Sequence, residues 1–516
     1  MYLCNNLTSI PLAMSVPTYS LDRCNEITRR FFETFGEDAD FVSRSPGRVN
    51  IIGEHIDYCN FSVLPMAIDV EMLLAVRVVR GSTSITLANA DPKFAPRCFD
   101  IPLEESIGID PALSDWSNYF KCGLLVAQNF CQETGQPMRD VGMQVFCQGS
   151  VPTGGGLSSS AAFICATALA TIRAVKGSQC EISKQDLTRI TADAEHYLGV
   201  NNGGMDQCAS VCGEKDHALY VEFKPVLKAT PFPLPASVRF IIANTLVVSN
   251  KFETAPTNYN LRVVECTIAA SVLAHTHGVS LPGEKTPGNL RQVIYTLCER
   301  REGTESTAVE INESDKIDKE IQKLQYALRL VEETLGPKSK GYTMSEASAA
   351  LDMTPEEFTR EYLTSFPVRF HLLQLYLRAK HVYLEALRVL QCLRLMTSVH
   401  GTSTDTQQFL RDFGTLMNAS QASCRDNYGC SCEGTEQICR IALNNGSLGS
   451  RLTGAGWGGC TISLCPDEQS VTDIKRALIK QYYNERFPHM PPSELEAAII
   501  VSKPVAGSAL YEHLQM

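Results

Sequence analysis

The chain has 516 residues, 44% of them hydrophobic and 20% charged, with a formal net charge of −11. That length exceeds what one core can fill and fits two or three globular domains. The acidic balance, with no basic stripe, excludes a nucleic-acid-binding surface, so an anionic ligand must be held by local amides, a metal and a few cations. Twenty cysteines run from Cys4 to Cys465, and no basic residue precedes Arg23 in a leader interrupted by Pro11 and Pro17. Reduced thiols in a cytoplasmic protein are therefore expected, with no signal peptide. No window reaches 18 consecutive apolar residues, so no membrane span is expected. The cluster Cys424, Cys430, Cys432 and Cys439 lacks paired Cys-x-x-Cys spacing and a nearby histidine, which argues against zinc.

A loose leader is expected over 1–20, followed by helical apolar spacing from Leu21 to Phe35. Phe41 to Ser43 and Val49 to Ile52 read as extended, and the alternation in Met72 to Val79 and Ser84 to Leu87 predicts strands at a sheet edge. A helix over Trp116 to Thr134 and a strand over Val141 to Cys147 lead into Pro152-Thr-Gly-Gly-Gly-Leu-Ser-Ser-Ser-Ala-Ala162, which opens an apolar helix at Ala161 to Ile172. Strand, glycine loop and helix make a phosphate cradle: Gly154 to Gly156 let the backbone approach an anion, and the free amides and dipole of a helix starting near Ser158 favour negative charge. Taken alone, a glycine turn capping a core helix accounts for the same residues.

A helix from Lys184 to Tyr197 ends in turn chemistry over 199–204, and Val238 to Val248 contains a buried strand. A domain boundary near residue 240 divides 21–240 from 241–516. The second part is mainly helical, with a capping box at Thr354-Pro-Glu-Glu357 and a charged segment over 282–341 that reads as a surface insertion. Asp412-Phe-Gly414 spells the magnesium motif of protein kinases, but no His-Arg-Asp loop or Val-Ala-Ile-Lys strand accompanies it, and the glycine loop lacks a Walker A lysine.

Two further segments bear on the glycine loop. One is Ser45-Pro-Gly-Arg-Val-Asn-Ile-Ile-Gly-Glu-His-Ile-Asp-Tyr58, running on into Phe61 to Asp69; the other is Gly449-Ser-Arg-Leu-Thr-Gly-Ala-Gly-Trp-Gly-Gly-Cys460. With the loop they resemble the three motifs of the GHMP small-molecule kinases, the first in its galactokinase form. The resemblance runs from about Asp22 to near the C-terminus, and Asn202-Gly-Gly-Met-Asp-Gln207 and Pro256-Thr-Asn-Tyr-Asn-Leu-Arg262 are similar to the fungal galactokinase branch. It implies an α+β fold of two domains. The first carries a mixed sheet with helices, like domain 2 of ribosomal protein S5; the second is a largely helical α+β domain, and the active site lies in the cleft between them. The implied reaction is ATP-dependent phosphorylation of the anomeric hydroxyl of galactose, with ATP and Mg²⁺.

The resemblance makes Asp206 the catalytic base and sets Arg48 beside it, to hold it ionised and offset charge on the transferring phosphoryl group. Two preceding glycines also suit Asp206 as a cap of the following helix, and both can hold. Glu54, His55, Asp57, the Gly203 backbone and the Tyr259 hydroxyl are implied at the sugar, with Arg48 and Asp206. Gly154, Gly155, Gly156, Leu157, Ser158, Ser159 and Ser160 are implied around the phosphates, and Trp116 near the adenine, although a lone tryptophan is usually core. Ser160 and Glu195 are implied to hold the magnesium; spacing alone reads them as a helix cap and a solvated face. Thr453 to Gly459 would close over phosphates and sugar from the second domain.

Two other functions fit the same motifs. One is N-acetylgalactosamine kinase, whose relatives share Ile56-Asp57-Tyr58-Cys59; the other is a galactose and ATP sensor that binds a transcriptional repressor of galactose genes. The Asn250 to Asn260 segment resembles fungal galactokinases and favours galactose, and the retained Ser158-Ser-Ser-Ala-Ala162 favours catalysis. Neither nucleic acid nor membrane is expected as a partner.

Overall fold

The computed structural model describes residues 12–13, 18–102, 107–110, 113, 115–152, 154–177, 181–192, 194–198, 203–247, 254–281, 288–302, 313–365, 367–398 and 403–512. In chain order the first half holds strand β1 (Leu12–Ala13), helix α1 (Thr18–Phe35), β2 (Phe41–Ile52), β3 (Leu64–Arg80), β4 (Ser84–Asn89) and β5 (Arg97–Asp100). There follow α2 (Ser117–Glu133), β6 (Val141–Gly149), α3 (Ser159–Lys176), α4 (Lys184–Ala192), a 3₁₀ turn at Ala194–Leu198, α5 (Met205–Cys212), β7 (His217–Glu222), β8 (Lys228–Pro233) and β9 (Arg239–Asn244). The second half adds α6 (Tyr259–Thr276), α7 (Leu290–Glu302), α8 (Glu313–Thr334), α9 (Met344–Ala349), α10 (Pro355–Tyr362), α11 (Leu375–Ser398), α12 (Ser403–Ser423) and α13 (Glu433–Asn444). It closes with β10 (Gly449–Thr453), β11 (Cys460–Cys465), α14 (Glu468–Leu478), β12 (Ile499–Ser502) and β13 (Ala509–Glu512).

The first sheet is mixed and seven-stranded, in the order β1-β13-β2-β3-β6-β4-β5. Every residue of β2 is buried. Because both of its faces are covered, Phe41–Ile52 lacks a period of two, and the two extended pieces expected there form one strand. Its register against β3 slips between Pro46 and Arg48 and again between Asn50 and Ile52, irregularities of the kind that re-aim side chains beside active sites. On one face α1 sets Cys24, Ile27 and Phe31, spaced for one helical stripe, against Val42, Leu73, Ala75 and Phe146. On the other, α2 and α3 bury Phe120, Leu124, Ile164 and Ala168 against Leu74, Val76, Leu87 and Val145. Helix α3 is long and apolar enough by composition to cross a membrane, but 72% of it is buried inside the protein.

The second sheet is antiparallel in the order β10-β11-β9-β12. Ile438, Ile474, Tyr482 and Tyr483 cover one face through Ile241, Ala243 and Ile499, while α11 and α12 pack toward the other. The chain thus crosses from the first sheet to the second at β9. Its tail then returns: β13 pairs with β2, and Leu12–Ala13, within the stretch expected as a loose leader, pairs with β13.

The segment expected as a surface insertion, 282–341, contains two helices with buried faces. Leu290, Val293 and Ile294 on α7, and Ile317, Ile321, Leu324 and Val331 on α8, enter the main core, and α8 lies along α11. One apolar residue in three or four is enough for such a stripe, so a charged composition hid it. Residues 282–287 and 303–312 lie outside the described set. The capping box at Thr354 forms as read: Glu357 N donates to Thr354 Oγ1 at 3.2 Å and Thr354 N to Glu357 Oε2 at 2.9 Å.

Asp412-Phe-Gly414 lies inside α12, where Phe413 is buried and Gly414 meets β10 directly. A Cβ on Gly414 would stand 2.4 Å from the Leu448 carbonyl oxygen. Gly414→Ala is therefore expected to cost about 1–3 kcal/mol by overpacking, read as a lower midpoint in urea unfolding; an unchanged midpoint would show that the two elements can part freely.

Candidate active site

Strand β6 delivers the chain to the glycine loop, and α3 begins immediately after it. The residue before α3, Ser158, has φ 60° and makes no side-chain cap; its hydroxyl donates instead to Asp206 Oδ2. Asp206 stands in the first turn of α5, whose cap residue is Gly204 at φ 82°. So Asp206 is not the helix cap, although a carboxylate there still gains from the helix dipole. Arg48, projecting from the slipped register of β2, brings Nε to 2.7 Å and Nη2 to 2.6 Å from Asp206 Oδ1, and donates from Nη1 to the Gly156 carbonyl at 2.7 Å. Its backbone amide also reaches the Leu157 carbonyl at 3.2 Å. One buried guanidinium thus joins the carboxylate to the phosphate loop.

The expected sugar-side residues gather on the flank of that pair. Gly203 lies against Asp57 so closely that a Cβ would sit 2.8 Å from Asp57 Oδ2 and 3.2 Å from its Cβ, so a side chain there would push the carboxylate aside. Burial, and then the nearby Asp206 carboxylate, push the Asp57 carboxyl up to about 6. Tyr259, the first residue of α6, has its phenol raised by burial and by Asp57 and Asp206.

His55 adopts φ 61° and sits among Tyr58, Tyr259, Tyr428 and Trp457, with ring centroids 4.7 to 6.0 Å apart. Burial lowers its imidazole to about 3, so it is neutral. Its Nε2 is 2.9 Å from the Ala455 carbonyl and must carry the proton, which leaves Nδ1 to accept from the Tyr58 hydroxyl at 3.1 Å. Glu54 is 2% exposed and accepts from Asn50 Nδ2 and Gly454 N, each at 2.8 Å. Burial raises its carboxyl against the pull of Arg451 and Arg48.

The turn between β10 and β11 closes on the phosphate loop backbone to backbone. A Cβ on Gly454 would meet the Gly156 carbonyl at 2.9 Å, and one on Gly459 the Gly155 carbonyl at 3.2 Å. Leu157 is fully buried beneath, while Ser159 and Ser160, the first residues of α3, are half-buried. Gly154, at φ 75°, has open space around it. Trp116 precedes α2, stacks on Phe163 at 6.1 Å and 10°, and donates Nε1–H to the Ala95 carbonyl at 3.0 Å; it remains part-exposed, so it is wall as well as core.

Glu195 is not on a solvated face. The helix read through Tyr197 stops at Ala192, and Glu195 lies in the following 3₁₀ turn, 5% exposed, accepting from Gln207 Nε2 at 3.0 Å. Gln207 Oε1 is buried there with no hydrogen-bond partner. Asn202 and residues 250–253 in the similar fungal segments lie outside the described residues. Among the described residues no group of three or more His, Cys, Asp or Glu side chains could hold a metal ion. Several site residues escaped the sequence reading: Asn50 and Arg451 lie inside the quoted motifs, whereas His381 and Glu385 on α11 carried no signal beyond polar residues on a buried helix.

Three family models match the chain: the galactokinase galactose-binding signature over 29–78, the GHMP kinase N-terminal domain over 118–214 and the GHMP kinase C-terminal domain over 406–484. A galactokinase of Saccharomyces cerevisiae is 54% identical, the alignment covering 97% of each chain. The chain belongs to the galactokinase family of GHMP kinases. A galactokinase of Candida parapsilosis is 44% identical over 96% of this chain and 95% of its own, and one of Schizosaccharomyces pombe 41% over 96% and 97%. Among solved structures, Lactococcus lactis galactokinase complexed with galactose superposes with a TM-score of 0.63 at 23% identity, over 94% of this chain and 99% of that one, which shows a shared fold. The α+β GHMP kinase fold expected from the motifs is the fold observed.

The raised carboxyl of Asp57 makes a prediction for this galactokinase. Its value in the unfolded chain is 3.8 against about 6 when folded, so the folded state binds this proton more tightly and the associated stability is lost as pH rises through about 6. Asp57→Asn should raise the melting temperature relative to the parent more at about pH 7.5 than at about pH 5. Equal differences at the two pH values would show an ordinary carboxyl.

Proposed function

We propose that this galactokinase moves the terminal phosphoryl group of ATP onto the anomeric hydroxyl of galactose with Asp206 as base, giving galactose 1-phosphate and ADP. The activity itself follows from full-length similarity to galactokinases. The observation that carries the residue roles is Asp206, gripped at Oδ1 by Arg48 and at Oδ2 by the Ser158 hydroxyl, at the head of α3. In this reading the sugar hydroxyl replaces Ser158 at Oδ2, and Asp206 takes its proton as the phosphoryl group arrives. Arg48, already locked to Asp206 and the Gly156 carbonyl, supplies fixed positive charge at the point of transfer without reorganising.

Glu54, Asp57, His55, the Gly203 backbone and Tyr259 would bind the sugar. Their clustering beside Asp206 supports this, since Asp206 and Glu54 both lie within electrostatic reach of Asp57. The loop from Gly154 to Ser160 would take the phosphates on its amides, with Trp116 toward the adenine. Ser160 and Glu195 would hold Mg²⁺, a fit supported by hard oxygen donors and by the unpartnered Gln207 Oε1 next to Glu195; the ion would gather charge on the triphosphate oxygens. Every cysteine among the described residues is a free thiol, which suits a cytoplasmic setting.

The first test is ADP release by purified protein with Mg²⁺ and galactose, N-acetylgalactosamine, glucose or no sugar. Turnover confined to galactose is expected. Preference for the N-acetylated sugar would overturn the substrate, and binding of both substrates without turnover would make the chain a ligand sensor for a regulatory partner. Asp206→Ala should lower kcat by about a thousandfold or more while calorimetry finds galactose affinity within a few-fold of the parent. Substantial remaining turnover would remove Asp206 from the base role.

A further inference from the structure

Arg451 is fully buried in β10 and reaches the first motif from the other sheet. Its Nη1 donates to the carbonyls of Asn50 and Ile51, each at 3.2 Å, and stands 3.4 Å from Glu54 Oε1. On its far side Nε donates to Ser420 Oγ at 3.0 Å, and Nη2 lies 3.8 Å from Glu385 Oε1. Glu385 in turn accepts from Ser420 Oγ at 2.6 Å and from the Gly53 amide at 3.0 Å. His381 Nε2, one helical turn earlier on α11, is 3.0 Å from the Glu54 carbonyl. The loop from Asn50 to Glu54 is therefore held on both backbone and side chain from β10 and α11, with one guanidinium at the centre.

Taking a carboxylate and a guanidinium out of water together is tolerable only if each stays paired, and removing one partner leaves a buried charge that neutralises itself. We propose that Arg451 is a positioning residue for sugar recognition: it fixes the Glu54 carboxylate and opposes its protonation, without touching the sugar. This rests on the reading of Glu54 as a sugar ligand. The other groups facing Glu54 leave the effect readable. Arg48 is paired with Asp206, and Glu385, lowered to about 2 and paired with Arg388, stays ionised. His381 and His55, at about 4 and 3, stay neutral, and the Cys430 thiol is pushed well above its usual range. Asp57, at about 6 and itself raised in part by Glu54, is coupled to that carboxyl, so the Glu54→Gln background is what separates the two.

The experiment measures galactose affinity by calorimetry, and KM and kcat, from about pH 6 to 8.5 for the intact protein, Arg451→Met, Arg451→Lys, Glu54→Gln and the double variant Arg451→Met/Glu54→Gln. Arg451→Met should weaken galactose binding about tenfold or more near pH 6.5, with the gap narrowing as pH rises and Glu54 ionises. Loss should appear in KM more than in kcat. Arg451→Lys, which keeps the charge and spares the fold should methionine not be tolerated, should follow the parent's pH curve. In the Glu54→Gln background, Arg451→Met should cost nothing further. A pH-independent loss, additive losses in the double variant, or a lysine variant with a shifted pH curve would each overturn the proposal and leave Arg451 a fold-holding residue. Parental galactose affinity in Glu54→Gln would instead remove the sugar-ligand reading, and the proposal with it.

Discussion

Three glycine-bearing segments meet with their backbones in contact, and everything at the site depends on that meeting. Gly47 in β2 lies against the Leu157 carbonyl, Gly454 against Gly156, Gly459 against Gly155, and Gly456 against the Cys430 carbonyl. A methyl group at any of these points would stand within about 2.2 to 3.2 Å of backbone oxygen. Only such close approach lets single side chains span the motifs, as Arg48 does from β2 to both Asp206 and the phosphate loop. The hydroxyl of Thr453 makes the same kind of link, accepting from the Asn50 amide and donating to the Asn50 carbonyl.

The electrostatics follow from that geometry. The protein carries a net charge of −11, yet under the proposed function it would hold a nucleotide triphosphate over a carboxylate base. The cations near the site are fixed in buried positions, where low dielectric makes each worth more than on a surface. Arg48 faces Asp206 across 2.6 Å, and Arg451 sits between Glu54 and Glu385. Neutral imidazoles at His55 and His381 add hydrogen bonds without adding charge. Asp57, buried and crowded by Asp206, is pushed up to about 6, and burial raises Glu54 as well.

Much of the first sheet and of the site was readable along the chain because it rests on local signals. A glycine loop between strand and apolar helix, three hydroxyls at the helix start, and a carboxylate after paired glycines are all short-range patterns, and the folded chain brings Arg48, Glu54, His55, Asp57, Gly203, Asp206 and Tyr259 to one flank of that loop. Features that depend on what packs from elsewhere were hidden. β2 reads as two pieces because both faces are covered, and α7 and α8 read as insertion because their buried stripes are narrow.

By itself the sequence determined the family and the reaction, since these are written in contiguous motifs whose chemistry needs fixed residue types. Tertiary structure alone decided that Ser158 turns from its helix to Asp206, that Glu195 is buried against Gln207, and that Arg451 braces Glu54 from the second sheet. It also decided that the final strand returns to the first sheet. The physical reason is separation along the chain: Arg451 and Glu54 are 397 residues apart, and no local propensity reports which buried charges will share a site once two sheets have packed.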